Sequence, residues 1–323
     1  MRDLYICLTH YHLMVSIIKA KNKGNCSDII ICCNLIKDEI FVDRLKRTNV
    51  FENVIKYDYP YTRLSFIDKI FQKRIVVQQV EKSLDLNFSK YDKIFIFNEM
   101  HYLAWYLQAK RLTYVLCEDG TNYYKDVHID KKNISFKRKI LALFGVGFKY
   151  FGTYKNIEYI EVNDKNLVNI KKHNVIELNK SSFFCEVSKD IVELLMGLFK
   201  MENLSLIDEN NSLLLLTQPL FEQGVCSDKN LILNLYNDIL NEYGNGKQII
   251  IKPHPLEETD YKEFFKNAII IDKNFPSELL NYMDFRVEKI ITIYSTALCT
   301  LNCAQEKIML GYDWFQSQLE RRS

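Results

Sequence analysis

A chain of 323 residues is long enough for two domains of ordinary size, each burying its own core. Hydrophobic residues at 48% and charged residues at 26% exclude an intrinsically disordered protein. With 43 basic against 41 acidic side chains the formal charge is only +2, which excludes a nucleic-acid binder that works through a large positive field.

The opening stretch, Met1 to Thr9, is too short for a signal-peptide core and reads as a first β-strand, so a cytoplasmic location is expected. No later run approaches the roughly 18 apolar residues needed to span a bilayer. Most of the nine cysteines sit in apolar runs such as Ile31-Cys32-Cys33, where a reduced thiol behaves as a small core residue. No CxxC pair suggests zinc or redox chemistry.

In chain order, short β-branched and apolar runs alternate with stretches of helical period, the pattern of parallel strands joined by crossover helices. Strands are expected at 4–8, 29–33, 54–57, 93–97 and 113–117, with helices at 11–21 and 101–111. A second series has strands at 212–217, 248–252, 268–271, 289–294 and 307–310, with helices at 229–243, 277–282 and 296–303. Between them lie short strands at 157–162 and 175–178 and an amphipathic helix at 189–201. The expected division is a Rossmann-like domain at 1–155, a connector at 156–211 and a second Rossmann-like domain at 212–323. The fold class is α/β, and two such domains facing a central cleft are the GT-B arrangement, with ligands beyond the carboxyl ends of the strands.

The first candidate site is Glu118-Asp119-Gly120, closing the last strand of the first domain. Adjacent carboxylates in a partly desolvated position repel one another, which raises one pKa and suits a general base; the alternative is a solvated acidic turn ended by glycine. The second is Lys252-Pro253-His254-Pro255, where a buried-strand signature runs into a histidine locked between prolines. The prolines remove two N–H donors and fix the backbone, which would hold an imidazolium against a leaving phosphate; a structural histidine in a tight turn is the alternative. The third is Ser295-Thr296, two hydroxyls where a strand passes into a helix: Ser295 is a natural N-cap, and the same N-terminus suits a phosphate. Glu278 lies in the first turn of the expected helix after Pro276, either complementing its dipole or holding ribose hydroxyls. No GxGxxG follows the first strand, and neither a GxxxxGK[ST] loop nor an Asp-x-Asp pair occurs, so a dehydrogenase, a P-loop NTPase and a metal-dependent sugar transferase all lose ground.

In order, Glu118-Asp119-Gly120, Lys252-Pro253-His254-Pro255 and Ser295-Thr296 resemble the three motifs of bacterial sialyltransferases, and Ile6-Cys7-Leu8-Thr9 resembles the opening of glycosyltransferase family 52, which acts on lipooligosaccharide and capsule. The resemblance implies a GT-B fold and an inverting, metal-independent transfer without cofactor. Sialic acid would pass from CMP-sialic acid to a terminal galactose-type sugar, with an α-2,3 linkage. Asp119 or Glu118 would be the base, Asp119 being favoured because it adjoins Gly120. His254 would assist departure of CMP, and Ser295 and Thr296 would hold its phosphate. Thr9, Gly120, Lys252, Pro255 and Glu278 complete the expected binding set. The family opening continues Thr-Pro, whereas here Thr9 is followed by His10-Tyr11-His12, a departure that bears on the sugar pocket.

Glu222, in the loop after the first strand of the second domain, is a rival base if the enzyme forms a domain-swapped homodimer. The partners implied are a nucleotide-sugar donor and a glycan acceptor, with no nucleic acid. The segment from Lys131 to Phe144 mixes lysines with apolar residues, as either a peripheral contact with the inner face of a bacterial plasma membrane or a solvated basic face. The rival functions are a GT-B hexosyl- or polysialyl-transferase with another donor or acceptor, and a non-catalytic binding protein of the same fold.

Overall fold

The computed structural model describes residues 1–32, 39–58, 72–99, 101–119, 152, 154–168, 173–178, 183–184, 186–200 and 207–322. Gly120 and the stretch 131–144 lie outside them. The chain forms two compact units, Met1–Ile191 and Val192–Ser323.

The first unit carries a parallel sheet of β1 (Arg2–Cys7), β2 (Cys26–Cys32), β3 (Asn53–Tyr57), β4 (Lys93–Ile96), β5 (Tyr114–Cys117), β6 (Ile157–Val162) and β7 (Asn174–Glu177). Their spatial order is β3-β2-β1-β4-β5-β6-β7. Crossover helices His10–Lys23, Glu39–Arg47, Gln72–Ser83 and Tyr102–Lys110 separate the early strands. Central strands are apolar without alternation because both faces are covered, and Tyr-Val-Leu-Cys of β5 is wholly buried. The first helix starts at Thr9 and stops at Gly24, whose φ of 63° lets its N–H reach the carbonyl of Ala20.

The two strands assigned by sequence to a connector are the sixth and seventh of this sheet, and the division between units falls after Ile191 rather than at 155. Pairing with β5 and β7 buries Ile157, Ile160 and Val162 in the first unit's core, which a free connector would leave wet.

The second unit has β8 (Ser212–Leu216), β9 (Gln248–Lys252), β10 (Ile269–Ile270), β11 (Val287–Thr292) and β12 (Ala304–Met309), in the order β10-β9-β8-β11-β12. The helix Lys229–Tyr243 is capped by Asp228, which accepts from the N–H groups of Asn230 and Leu231. Its buried face, with Leu235, Tyr236 and Ile239, packs on β8 and β9. The terminal helix Tyr312–Glu320 adds the buried Phe315.

In each sheet the strand order reverses beside the first strand, between β1 and β4 and between β8 and β11. Such reversal points open a crevice at the carboxyl ends of the strands. The residues after β1, β4 and β5, and after β8, β9 and β11, are therefore where chemistry is expected. Among the described residues no helix is long and apolar enough to cross a membrane.

Candidate active site

At the carboxyl ends of the first sheet, Thr9 caps the first helix by accepting from the His12 N–H at 3.1 Å. That cap is the observed role of Thr9, and it brings His12 under the end of β1. His12 is fully buried, stacked on Phe97 with centroids 4.3 Å apart and planes 7° apart. Its Nδ1 accepts from the Leu8 N–H at 3.1 Å, so in the neutral ring the proton resides on Nε2. Nε2 lies 2.9 Å from Asp119 Oδ1. The N–H direction is off the line of a hydrogen bond, so this is a close charge–dipole contact rather than a formed hydrogen bond.

Glu118 and Asp119 do not form the mutually repelling pair expected from their adjacency. Successive residues of an extended chain point to opposite faces. Glu118, buried, takes the Asn163 N–H on Oε2 at 2.5 Å, while Asp119, its side chain 33% exposed, turns to His12. Glu118 is thus a tie between the ends of β5 and β6, and Asp119 is the more exposed of the two carboxylates. Beneath them Lys19 and Glu161 form a buried ion pair at 2.5 Å, and the Cys117 thiol donates to Glu161 at 3.2 Å. Burial, followed by the Glu161 charge, pushes the Cys117 thiol well up, so it is an inert structural group. His101 caps the helix Tyr102–Lys110, and burial, with nearby His12 second, lowers its pKa to about 4.

In the second unit, His254 follows β9. Its Nδ1 accepts from the Leu256 N–H at 3.1 Å, again leaving the neutral ring's proton on Nε2. Burial, and secondly Lys252, lowers the His254 pKa to about 4, against a smaller opposing effect of Glu222. The imidazolium expected from sequence is therefore a neutral imidazole near pH 7. Lys252 is 2% exposed, with Nζ 3.3 Å from the Pro253 carbonyl and 4.3 Å from the Phe275 ring centroid. Burial lowers its pKa to about 7, although Asp272, Glu278 and Glu257 all favour its charge.

After β11 the outcome differs from the expected Ser295 cap. Thr296 is the N-cap of the short helix Ala297–Thr300, at φ −71° and ψ −18°, and its side chain makes no capping bond. A cap side chain folds back from an extended backbone, and this helical backbone aims it elsewhere. The Ser295 N–H donates to Thr292 Oγ1 at 3.3 Å, and Thr296 is exposed. Among the described residues both hydroxyls lack a protein partner, as a ligand-facing pair would.

Glu278 opens a 3-10 turn, Ser277–Tyr282, and accepts from Thr300 Oγ1 at 3.1 Å, which ties it to the short helix. Glu222 is exposed and its Oε1 accepts from the Glu258 N–H at 3.0 Å, next to the His254 turn. Pro255 lies in that turn. Sequence reasoning missed His12 and Glu257. The first could have been suspected from the His10-Tyr11-His12 departure, whereas no motif marks the second. Among the described residues no group of three or more His, Cys, Asp or Glu side chains is arranged to hold a metal.

Two Rossmann-like units in succession, each a parallel sheet with a reversal point beside its first strand, have the GT-B fold. The chain belongs to glycosyltransferase family 52, whose pattern matches residues 26–312. An uncharacterised protein of Haemophilus influenzae is 31% identical over 212 residues, covering 64% of this chain and 65% of that protein. The match thus spans slightly under two thirds of that relative. Among solved structures, the wall teichoic acid polymerase TagF superposes with a TM-score of 0.52 at 10% identity, over 98% of this chain and 71% of TagF. The UDP-GlcNAc 2-epimerase of Methanocaldococcus jannaschii gives 0.45 at 15% identity, over 99% and 92% of the two chains.

Proposed function

We propose that the protein is an inverting, metal-independent sialyltransferase that moves sialic acid from CMP-sialic acid to a terminal galactose-type sugar of a bacterial lipooligosaccharide or capsular polysaccharide. The observation that carries this reading, within family 52, is the second unit's anion-ready end. The buried Lys252 and the Nε2–H of His254 lie at the end of β9, and the unpartnered hydroxyls of Ser295 and Thr296 follow β11, the two strands that flank β8.

The acceptor hydroxyl oxygen attacks the anomeric carbon as the bond to the phosphate oxygen breaks, and its proton passes to Asp119. His12 offers its Nε2–H side to one oxygen of that carboxylate and stabilises its charge before the proton arrives. Negative charge grows on the departing CMP, where His254 and Lys252 are more readily protonated than in its absence, because an adjacent anion favours their charged forms. Glu118 stays with Asn163 and is not the base in this reading. The departure at His10-Tyr11-His12 adjoins Asp119, and it favours, as a second reading, the same chemistry on another nucleotide sugar.

The test is release of CMP from CMP-sialic acid in EDTA, with lactose or N-acetyllactosamine as acceptor. Acceptor-stimulated release is expected, and Asp119→Asn or His254→Ala should lower turnover by a factor on the order of 10² to 10⁴. Silence with CMP-sialic acid but turnover of a UDP-sugar would keep the fold and replace the donor. Near-normal turnover in His254→Ala would remove that residue from the mechanism.

A further inference from the structure

Glu257 is 2% exposed, three residues beyond His254, yet its carboxylate is a junction. Oε2 accepts from the His254 backbone N–H at 2.6 Å and from the Thr217 hydroxyl, while Oε1 accepts from the Tyr261 hydroxyl at 2.5 Å. Thr217 Oγ1 lies 3.3 Å from the same His254 N–H, which closes a triangle of Thr217, His254 and Glu257. The backbone carbonyl of Glu257 accepts from Lys273. Three donors therefore converge on one buried carboxylate, drawn from the end of β8, the turn after β9 and the helix Tyr261–Phe264.

The prolines beside His254 explain the need for this arrangement. Within Pro253-His254-Pro255 only His254 has a backbone N–H, and the Glu257 carboxylate accepts it. A carboxylate accepting several hydrogen bonds holds its donors more tightly than a neutral acceptor, and such bonds are roughly twice as strong as neutral ones. Burial raises the Glu257 pKa against the opposing effect of those donors, so the site holds its charge at the expense of desolvation. A group that only filled the core would be apolar.

We infer that Glu257 is a positioning residue which, with Thr217, locks the His254 turn so that the imidazole presents a single tautomer, Nε2–H outward, to the leaving phosphate. The inference rests on the proposed role of His254, but its geometry can be tested without any donor. Glu257→Gln keeps the shape and replaces an acceptor oxygen with an N–H₂ group that meets donors. Thr217→Val removes the hydroxyl, and Thr217→Ser keeps it.

The experiment is ¹⁵N NMR of the histidine rings near pH 7.5, with His254 assigned by the loss of its signals in His254→Gln, beside steady-state kinetics. In the native protein and Thr217→Ser, His254 should show the Nε2–H tautomer alone. In Glu257→Gln and Thr217→Val it should average between tautomers, with kcat reduced by about 10²-fold, the usual consequence of misplacing a reacting group by about 1 Å, and the KM for donor changed much less. The double variant should lose little more than either single one, because both break one unit. Tyr261→Phe removes a donor on the other oxygen; it should lower thermal stability and leave the His254 tautomer intact.

A single Nε2–H tautomer in folded Glu257→Gln, with kcat within twofold of native, would overturn the inference. If the native protein fails to use CMP-sialic acid, the donor assignment falls while the tautomer comparison still decides the role of Glu257.

Discussion

Lys252 shows how a residue can serve function against stability. Its pKa of about 7 in the folded chain lies below the ordinary lysine value of 10.5, so folding favours the neutral amine. The native state binds this proton more weakly than the unfolded chain does. Stability is therefore greatest above the ordinary lysine range, falls as pH drops from about 10.5 to about 7, and is level below that, with a total penalty on the order of a few kcal/mol. Lys252→Met keeps the volume and removes the penalty. The midpoint of thermal unfolding should rise by several degrees at pH 6, the gain shrinking toward pH 10, while CMP affinity measured by calorimetry falls about tenfold or more. A variant less stable than native at pH 6 would show that Asp272, Glu278 and Glu257 more than offset the burial of the ammonium. At this scale the Pro-His-Pro turn was legible because backbone chemistry is written locally. The meaning of His12 was not, since it depends on Asp119, brought beside it only by the pairing of β1, β4 and β5.

Among elements, the strands were legible because parallel, doubly covered strands are unbroken apolar runs, as in Ser-Leu-Leu-Leu-Leu of β8 and Gln-Ile-Ile-Ile-Lys of β9. Helix ends were legible where a local bond makes the cap, as at Asp228, and misleading where the backbone overrides composition, as at Ser295 and Thr296. The assignment of β6 and β7 failed for a different reason: a strand's spacing in sequence does not say which sheet its edge joins. Gly244 illustrates what an element end demands. A Cβ there would lie 2.6 Å from Ile249 Cδ1 and 2.8 Å from the Leu240 carbonyl oxygen, so the helix Lys229–Tyr243 must end on a residue without a side chain to meet β9. Gly244→Ala should lower the free energy of unfolding by about 1–3 kcal/mol in urea titrations, with turnover of the folded fraction unchanged. An unchanged urea midpoint would mean that Ile249 and the helix terminus yield without strain.

For the molecule as a whole, the proposed labour is divided between the units, with the base on Met1–Ile191 and the leaving-group machinery on Val192–Ser323. Loss of either should stop turnover, but the two losses should differ in what survives. If, as proposed, the nucleotide product is recognised by groups of the second unit, Asp119→Asn should bind CMP with native affinity while turning over on the order of 10² to 10⁴ times more slowly. His254→Ala should lose both, because the Nε2–H that assists departure also holds the phosphate. The native protein should also take up a proton when CMP binds near pH 6, since a phosphate beside His254 draws its pKa up from about 4 through the working pH. Calorimetry in buffers of different ionisation enthalpy reads that uptake directly. It should persist in Asp119→Asn and vanish in His254→Leu, whose residual CMP affinity can be measured at higher ligand concentration. Uptake near pH 6 that survives in His254→Leu would show that the imidazole is not the titrating group, while uptake that appears only above pH 7, where Lys252 is largely neutral, would make the lysine the proton source for the departing phosphate.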